Sequence, residues 1–303
     1  MWFRNLQIYR LTEKFDTDPE ALHEALTEKT FKPCAGLDTY RSGWVTPLGK
    51  HGESLVHATN GRLMICLQRE ERILPASVIR DAVEEKVEAI EAAESRPVGR
   101  KEKNTIKEEV VVDLLPRAFT RSQRTFAYID PKAELMILDC ATPKKAEDLM
   151  SQLRETLGSF KVRPLAVNQA PSAVMTDWLI NHAPADFELA DECELKEPSE
   201  NGGIIRVRRQ DLGSDEIRIH LDAGKQVTKL AIEWSERISC VLSDDLAIKR
   251  LKFMDLVMEE AADVDADDAA ARFDADFALM AAELANFLPV VFEQWGGLET
   301  SQS

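Results

Sequence analysis

Cysteine and histidine are scarce in this 303-residue chain, five of each. The cysteines (Cys34, Cys66, Cys140, Cys193, Cys240) lie far apart, odd in number and without a CxxC pair. That spacing excludes a zinc ribbon and speaks against a disulfide frame, so reduced thiols of a cytoplasmic protein are expected. No apolar run approaches the ~20 residues that span a bilayer. The N-terminus, MWFRNLQIYRL, lacks the apolar stretch and cleavage site of a signal peptide; it alternates apolar and polar residues and reads as a strand. There is no P-loop, no GxGxxG and no GxSxG, and scattered histidines give no nucleophile–base order. Nothing among the residues argues for an enzyme, and no cofactor is called for.

What is present is an ordinary globular composition, 44% hydrophobic and 30% charged, enough to bury a substantial core in one large domain or several lobes. The formal charge is −16, but it is unevenly placed. Residues 255–303 hold twelve Asp/Glu and a single Arg, a net of −11, which leaves −5 for residues 1–254. Overall acidity therefore does not exclude nucleic acid, because binding follows the local patch.

Along the chain the pattern is α+β: antiparallel sheets with packed helices in a multi-lobed, elongated subunit. Asp18-Pro19 opens a first helix. Asn60-Gly61 joins two β-like runs as a hairpin. A helix from Pro75 and Ser77 carries Ile79, Val83, Val87 and Ile90 at helical spacing. Residues 94–109 read as a break or exposed turn, followed by a helix up to Pro116. "RTFAYI" and "ELMILDC" form a hairpin turning at Asp130-Pro131, and Thr142-Pro143 starts a helix that Gly158 closes. Residues 161–200 alternate short strands with a helix near 171–182, and "GGIIRVRRQDL" reads as a strand before a short helix capped by Ser214. Two or three further segments precede a last helix, running from near Asp265 to Pro289. Its stripe of Phe273, Phe277, Met280, Leu284 and Phe287 is assigned to the core rather than to a two-fold contact. The expected organisation is an α+β lobe (1–75), a helical arm (76–115), a central α+β lobe (116–200) and a C-terminal α+β lobe (201–303).

Two apparent metal patterns fail on inspection. His51, His57 and Cys66 match no zinc spacing. "DVDADDAAARFD" (263–274) begins like a calcium loop, but Asp268 stands where the turn needs Gly, and Asp274 where a bidentate Glu is required. Acids at a helix N-terminus explain it without a metal.

Three basic stretches remain: Arg117/Arg121/Arg124, Arg206/Arg208/Arg209 followed by Gln210, and Lys249/Arg250/Lys252. In the first, within "LLPRAFTRSQRTF", the arginines recur at one helical turn with Phe119 and Phe126 interleaved. Each stretch could be a solvated face, an ion-pair shelf or a grip on phosphate, and spacing does not choose among them. Arg206 and Arg208 share one face of a strand. By default Phe119 is a core residue and Gln210 a surface one.

Nine short segments are more specific in their order than singly. "MWFRNLQIYRL", "GWVTPLG", "NGRLMICLQREERILP", "LLPRAF", "DCATPKKAED", "RRQDL", "GKQVTKLAIEW", "KRLKF" and "RFDADFALMAAELA" run nearly end to end. Together they resemble the recombination-associated RdgC family of proteobacteria. The resemblance implies a non-enzymatic, cytoplasmic, nucleoid-associated protein without a membrane segment. It further implies two subunits closing a ring with a basic hole, binding to double- and single-stranded DNA with little sequence preference, and restraint of the RecA recombinase. Arg117 and Phe119 fall on the family's LPRAF segment. Arg209 and Gln210 fall on its basic-Gln pair, usually Lys-Gln, and Arg keeps the charge but changes the donor geometry. Residues 181–203 depart most from the family pattern, and no site residue is taken from them.

Under this reading Arg117, Arg121, Arg124, Arg206, Arg208, Arg209, Gln210, Lys249, Arg250 and Lys252 are candidate DNA contacts, and Phe119, Arg209 and Gln210 sit at a ring junction. The competing expectation is a protein–protein adaptor whose acidic C-terminal region blocks a basic partner directly.

Overall fold

The computed structural model describes residues 1–264, 266 and 268–299. Strand β1 (Leu6–Leu11) leads into helix α1 (Pro19–Thr27), which Asp18 caps by accepting from the Ala21 N–H at 2.7 Å. Strands β2 (Tyr40–Val45), β3 (Val56–Thr59) and β4 (Arg62–Ile73) follow. Asn60 and Gly61 join β3 to β4 with φ of 51° and 77°, the left-handed pair that an Asn-Gly hairpin supplies.

Helices α2 (Ala76–Glu94) and α3 (Arg100–Leu114) form an arm with a small core of its own around Val83, Ile106 and Val110. The interruption between them is shorter than the sequence suggests, residues 95–99 only. Lys and Glu are good helix formers, and Ile106 and Val110 give the charged stretch an apolar stripe to bury. Arg96 pins the turn by a bidentate pair to Glu102, at 2.7 and 2.8 Å.

Strand β5 (Phe119–Asp130) pairs with β6 (Leu135–Asp139) at the expected Asp130-Pro131 turn, but it begins earlier than expected. It runs beside β4 out to the rung Ile73–Phe119. The arginines that recur at helical spacing are thus not on a helix. Arg117 ends a single 3-10 turn (Leu115–Arg117), while Arg121 and Arg124 lie three apart on a strand and face opposite sides. Residues 119–124 are exposed on both faces, so no period-two apolar signal marks them in the sequence.

Helix α4 (Pro143–Leu157) buries Ala146, Leu149, Met150 and Leu153 and ends at Gly158 with φ 73°. Strand β7 (Val162–Pro164), helix α5 (Pro171–Asn181), strands β8 (Phe187–Lys196) and β9 (Ile204–Arg208), and helix α6 (Asp215–Asp222) follow. Strands β10 (Gln226–Trp234), β11 (Ile238–Ser243) and β12 (Ile248–Phe253) make a meander. Helix α7 (Asp255–Asp263) was not foreseen as a separate element. Helix α8 (Ala269–Gln294) starts at the cap Asp268, which accepts from the N–H groups of Ala270 and Ala271. The expected start near Asp265 lies outside the described residues. The helix does not stop at Pro289: burial of Val291, Phe292 and Trp295 beyond it outweighs one lost backbone bond.

All twelve strands join one antiparallel sheet in the order β2-β4-β5-β6-β1-β12-β11-β10-β8-β9, with β3 on β4 and β7 on β1. Residues of β1 alternate between two cores. Leu6 and Ile8 enter a large one covered by α5, α6, α7 and α8; Tyr9 and Leu11 enter another beneath α1 and α4. The stripe Phe277, Met280, Leu284 and Phe287 is buried in the first, with Phe273 packed against it. By length and composition α8 could cross a membrane, contrary to the expectation that no apolar run is long enough, yet half of its apolar stretch is buried inside the fold. It acts as a core helix, with Glu283 held by Arg237 at 2.7 and 2.8 Å.

The two halves of the sheet meet narrowly, at the single rung Leu6–Ile248 and a Leu251 N–H to Arg4 carbonyl bond of 2.8 Å. Helix α8 strengthens that joint. Its Asp276 takes the Met1 ammonium at 2.7 Å, and its Asp274 takes His57 of β3 at 2.9 Å. The strands β8 to β12 bury one face only. Their other face is polar, and it carries the candidate site.

Candidate nucleic-acid interface

The open face of the C-terminal half holds a cleft of about 400 Å³ lined by Glu192, Glu194, Arg206, Arg208, Lys229, Lys249, Arg250 and Asn5, among others. Alternation on paired strands builds it. Glu192 is in register with Arg208 and Glu194 with Arg206 across β8–β9, and Lys229 of β10 opposes Glu194 on the other side. On β12 an extra residue between the rungs Val241–Lys249 and Ser239–Lys252 makes a bulge. The bulge turns Arg250, at φ 53°, toward Glu192 and Asn5.

Four of the five cations thus meet two carboxylates. Arg206 Nε donates to Glu194 at 2.8 Å, and Lys229 Nζ donates to the same carboxylate at 2.8 Å. Arg250 donates to Glu192 at 2.9 Å, while Arg208 stands 3.6 Å from it. Lys249 leans on Asp245 at 3.4 Å. Burial alone would raise Glu194, but the hydrogen bonds from Arg206 and Lys229 bring its carboxyl down to about 2. It is an anion at any physiological pH. The arginines remain largely in solvent, Arg206 at 65% and Arg208 at 70% side-chain exposure. Glu194 is itself only 13% exposed, so its pairs are not the weak fully exposed kind, and a phosphate would share the exposed guanidinium groups with it rather than displace it.

A second cleft, of about 320 Å³, lies where β4 and β5 pass the start of α4. It is lined by Arg69, Arg121, Lys144 and Lys145 against Glu71 and Asp148, with Gln123 and Thr142. Arg121 donates to Glu71, with Nε to Oε1 at 3.1 Å. Arg69 lies 3.6 Å from Asp148 and 3.9 Å from the ring centroid of Tyr40. Lys145 donates to Gln123 at 3.0 Å.

The other expected contacts are dispersed. Arg124 is on the opposite face of β5 from Arg121, donating to Gln68 at 3.1 Å. Arg117, Arg209 and Lys252 are exposed and have no ion pair among the described residues. Lys252 does not line the cleft. Arg209 follows β9 in a left-handed bend, φ 56°. Gln210 is half-buried and donates to Glu216 at the surface.

Phe119 is not a core residue. It is 85% exposed, facing Ile73, itself 42% exposed. Nor does the fold bring Phe119 together with Arg209 and Gln210 within a chain. Seven strand steps separate β5 from β9, on the order of 30 Å at ~4.8 Å per step.

The sequence reading missed Asn5, Arg69, Lys144, Lys145 and Lys229. Lys144 and Lys145 carried a signal, a Lys-Lys directly after the helix-opening Thr-Pro. Arg69 and Lys229 are single residues in strands and Asn5 directly precedes one, and only pairing makes them neighbours.

Over residues 1–298 the sequence matches the family described as "Putative exonuclease, RdgC". The chain belongs to the RdgC family. It is similar to proteins named "Recombination-associated protein RdgC" along its whole length. That of Aeromonas hydrophila is 49% identical over 302 residues, covering 99% of this chain and 100% of the relative. That of Pseudomonas aeruginosa is 49% identical over 304 residues, covering 100% and 99%. That of Tolumonas auensis is 47% identical over 298 residues, covering 98% and 99%. The RdgC relatives are named for recombination and not for an enzymatic activity. Among the described residues, no group of three or more His, Cys, Asp or Glu is placed to hold a metal ion.

Proposed function

We propose that the protein is a DNA-binding factor of recombination that grips the phosphates of double- and single-stranded DNA without reading bases. The observation that carries this is the first cleft, which Arg206, Arg208, Lys229, Lys249 and Arg250 line together with only Glu192 and Glu194 as acids, Lys249 being paired at its edge with Asp245. Such a face suits the phosphate backbone, contacts to which carry no sequence information. The chain's net charge of −16 would repel DNA elsewhere and confine it to this face.

In this reading two subunits close a ring around the DNA, the protein associates with the nucleoid in the cytoplasm, and its coating of DNA restrains the RecA recombinase. A two-subunit ring needs two junctions. Phe119 with Ile73 at one end of the sheet, and Arg209 with Gln210 beyond β9 at the other, are far enough apart to serve one each. An exposed aromatic in a small interface is a typical hot spot.

The test is binding to a plain duplex over a salt series, with mass measured in the same solution and DNA length checked afterwards in magnesium. The expected result is a dimer, intact DNA, and log K falling with log salt at a slope of about −0.9 per phosphate. Replacing Arg206, Arg208 or Arg209 by Ala should reduce that slope by about one unit wherever the residue meets phosphate. A slope unchanged in all three variants would remove β9 from the interface. Shortened DNA would favour a nuclease.

A second reading rests on α7, where Asp255, Glu259 and Asp263 are exposed together with Leu256 and Met258. That surface suits a protein–protein adaptor that docks a basic partner. Excess DNA discriminates the two: it relieves inhibition by coating but not inhibition by direct contact.

A further inference from the structure

The two clefts open on the same side of the sheet. On β5, Arg121 and Gln123 share the parity of Ala127 and Ile129, which pack in the core beneath α1 and α4. Asn5, immediately before β1, shares the parity of Tyr9 and Leu11 in that same core, and Asn5 lines the first cleft. Hydrogen bonds tie the clefts' borders together. Arg250 N–H donates to the Asn5 side chain at 3.2 Å, Asn5 N–H to Asp139 at 2.9 Å, and Cys140 N–H to the Asn5 carbonyl at 2.8 Å. Thr142, two residues on, lines the second cleft.

We propose that the cleft of Arg69, Arg121, Lys144 and Lys145 is a second phosphodiester site, engaging the same DNA as the first. This rests on the DNA reading and extends it to residues outside the three basic stretches. Four cations face Glu71 and Asp148, an excess of two. Lys144 has no ion pair among the described residues, and Lys145 is held only by neutral Gln123. Both lysines are exposed, and so is the Thr142 hydroxyl. Thr142 makes no capping bond to the first turn of α4. Two arginine forks and two mobile ammonium groups suit the tetrahedral, singly charged phosphodiester.

The spacing fits as well. The lining strands of the two clefts are three to eight strand steps apart, about 15–40 Å at ~4.8 Å per step. On duplex DNA, with one phosphate per strand every ~3.4 Å of axis, that is about 4–11 base pairs. A backbone leaving one cleft can therefore be met by the other.

The experiment measures the salt slope for a duplex of roughly 20 base pairs, long enough to reach both clefts. The full-length protein is compared with Lys144→Gln/Lys145→Gln, Lys144→Arg/Lys145→Arg and Arg206→Gln/Arg208→Gln. The Gln pair should lower the slope's magnitude by about 1.8 with an unchanged melting temperature, and the Arg pair should restore it. If the Gln pair keeps the wild-type slope while Arg206→Gln/Arg208→Gln loses it, the second site falls and the DNA reading stands. If the wild type binds no duplex, both fall. Inorganic phosphate, followed by amide shifts at Lys144, is the control arm. A shift there with no change in the DNA slope would assign the cleft to a free anion and overturn the proposal.

Discussion

Arg206 Nε lies 2.8 Å from Glu194 Oε2, so one of the cleft's most exposed cations is already held by a carboxylate before any ligand arrives. The pair orients the guanidinium while reducing the field that a phosphate would feel. Glu194 is thus both a positioning residue and a competitor.

Replacing Glu194 by Gln should raise duplex affinity at low salt several-fold, because the cleft gains one positive charge. The variant should be less stable than the wild type at neutral pH, and the difference should vanish in acid. Glu194 is depressed to about 2, so its contribution is complete above the ordinary carboxylate range near 4.5 and is lost as pH falls toward 2. The variant should lack that step in an acid titration followed by circular dichroism. Weaker binding in the variant would mean that orientation matters more than charge.

Phe119→Ala should leave the melting temperature within a degree or two, since the side chain is 85% exposed and buries little in its own subunit. Its effect should appear in association. Retention on covalently closed circular DNA after a salt challenge should drop, while affinity for short linear duplex at low salt should hardly change. Equal losses on circles and linear duplex would exclude a junction role.

Arg237→Ala should be among the most destabilising single changes. Arg237 bridges Glu283 and Glu260, and those hydrogen bonds hold its guanidinium protonated, well above its ordinary range. The Glu283 side chain is only 5% exposed, and removing its partner leaves a buried charge, which typically costs about 3–5 kcal/mol. Urea denaturation should show it, and Arg237→Ala/Glu283→Leu should recover most of the loss.

Thiol reagents should label the native protein slowly. Burial pushes Cys66 and Cys140 up to about 12 and Cys193 up to about 11, and raises Cys240 further still. Cys34, the one half-buried thiol, is raised by its desolvation and by Glu70. Titration with a chromogenic disulfide near neutral pH should therefore register at most one accessible thiol per chain before denaturant is added, and subunit mass should not depend on reductant. Fast reaction of two or more would show that the cores open readily.

The sequence alone determined the family, the α+β class, and the local elements whose signals lie within a few residues. The Asp18 cap, the Asn60-Gly61 hairpin, the α4 stripe closed by Gly158 and the buried face of α8 are all written in short-range chemistry. It misplaced what depends on distant partners. The arginines of "LLPRAFTRSQRTF" carry a helical period by coincidence, and only pairing with β4 extends the strand back over residues 119–123. Phe119 looks like core because an aromatic usually is, and its exposure follows from a ribbon that extends past the rest of the sheet. The candidate site was legible as three basic stretches but not as a site. Arg206, Arg208, Lys249 and Arg250 share a cleft because β9 and β12 lie on either side of β8, β10 and β11. Asn5 and Lys229 join them through strand order and one bulge, whereas Lys144 and Lys145 meet Arg69 and Arg121 in the second cleft through the position of α4. Side-chain identity fixes which charges exist, whereas their convergence is set by inter-strand register, which no single stretch of sequence contains.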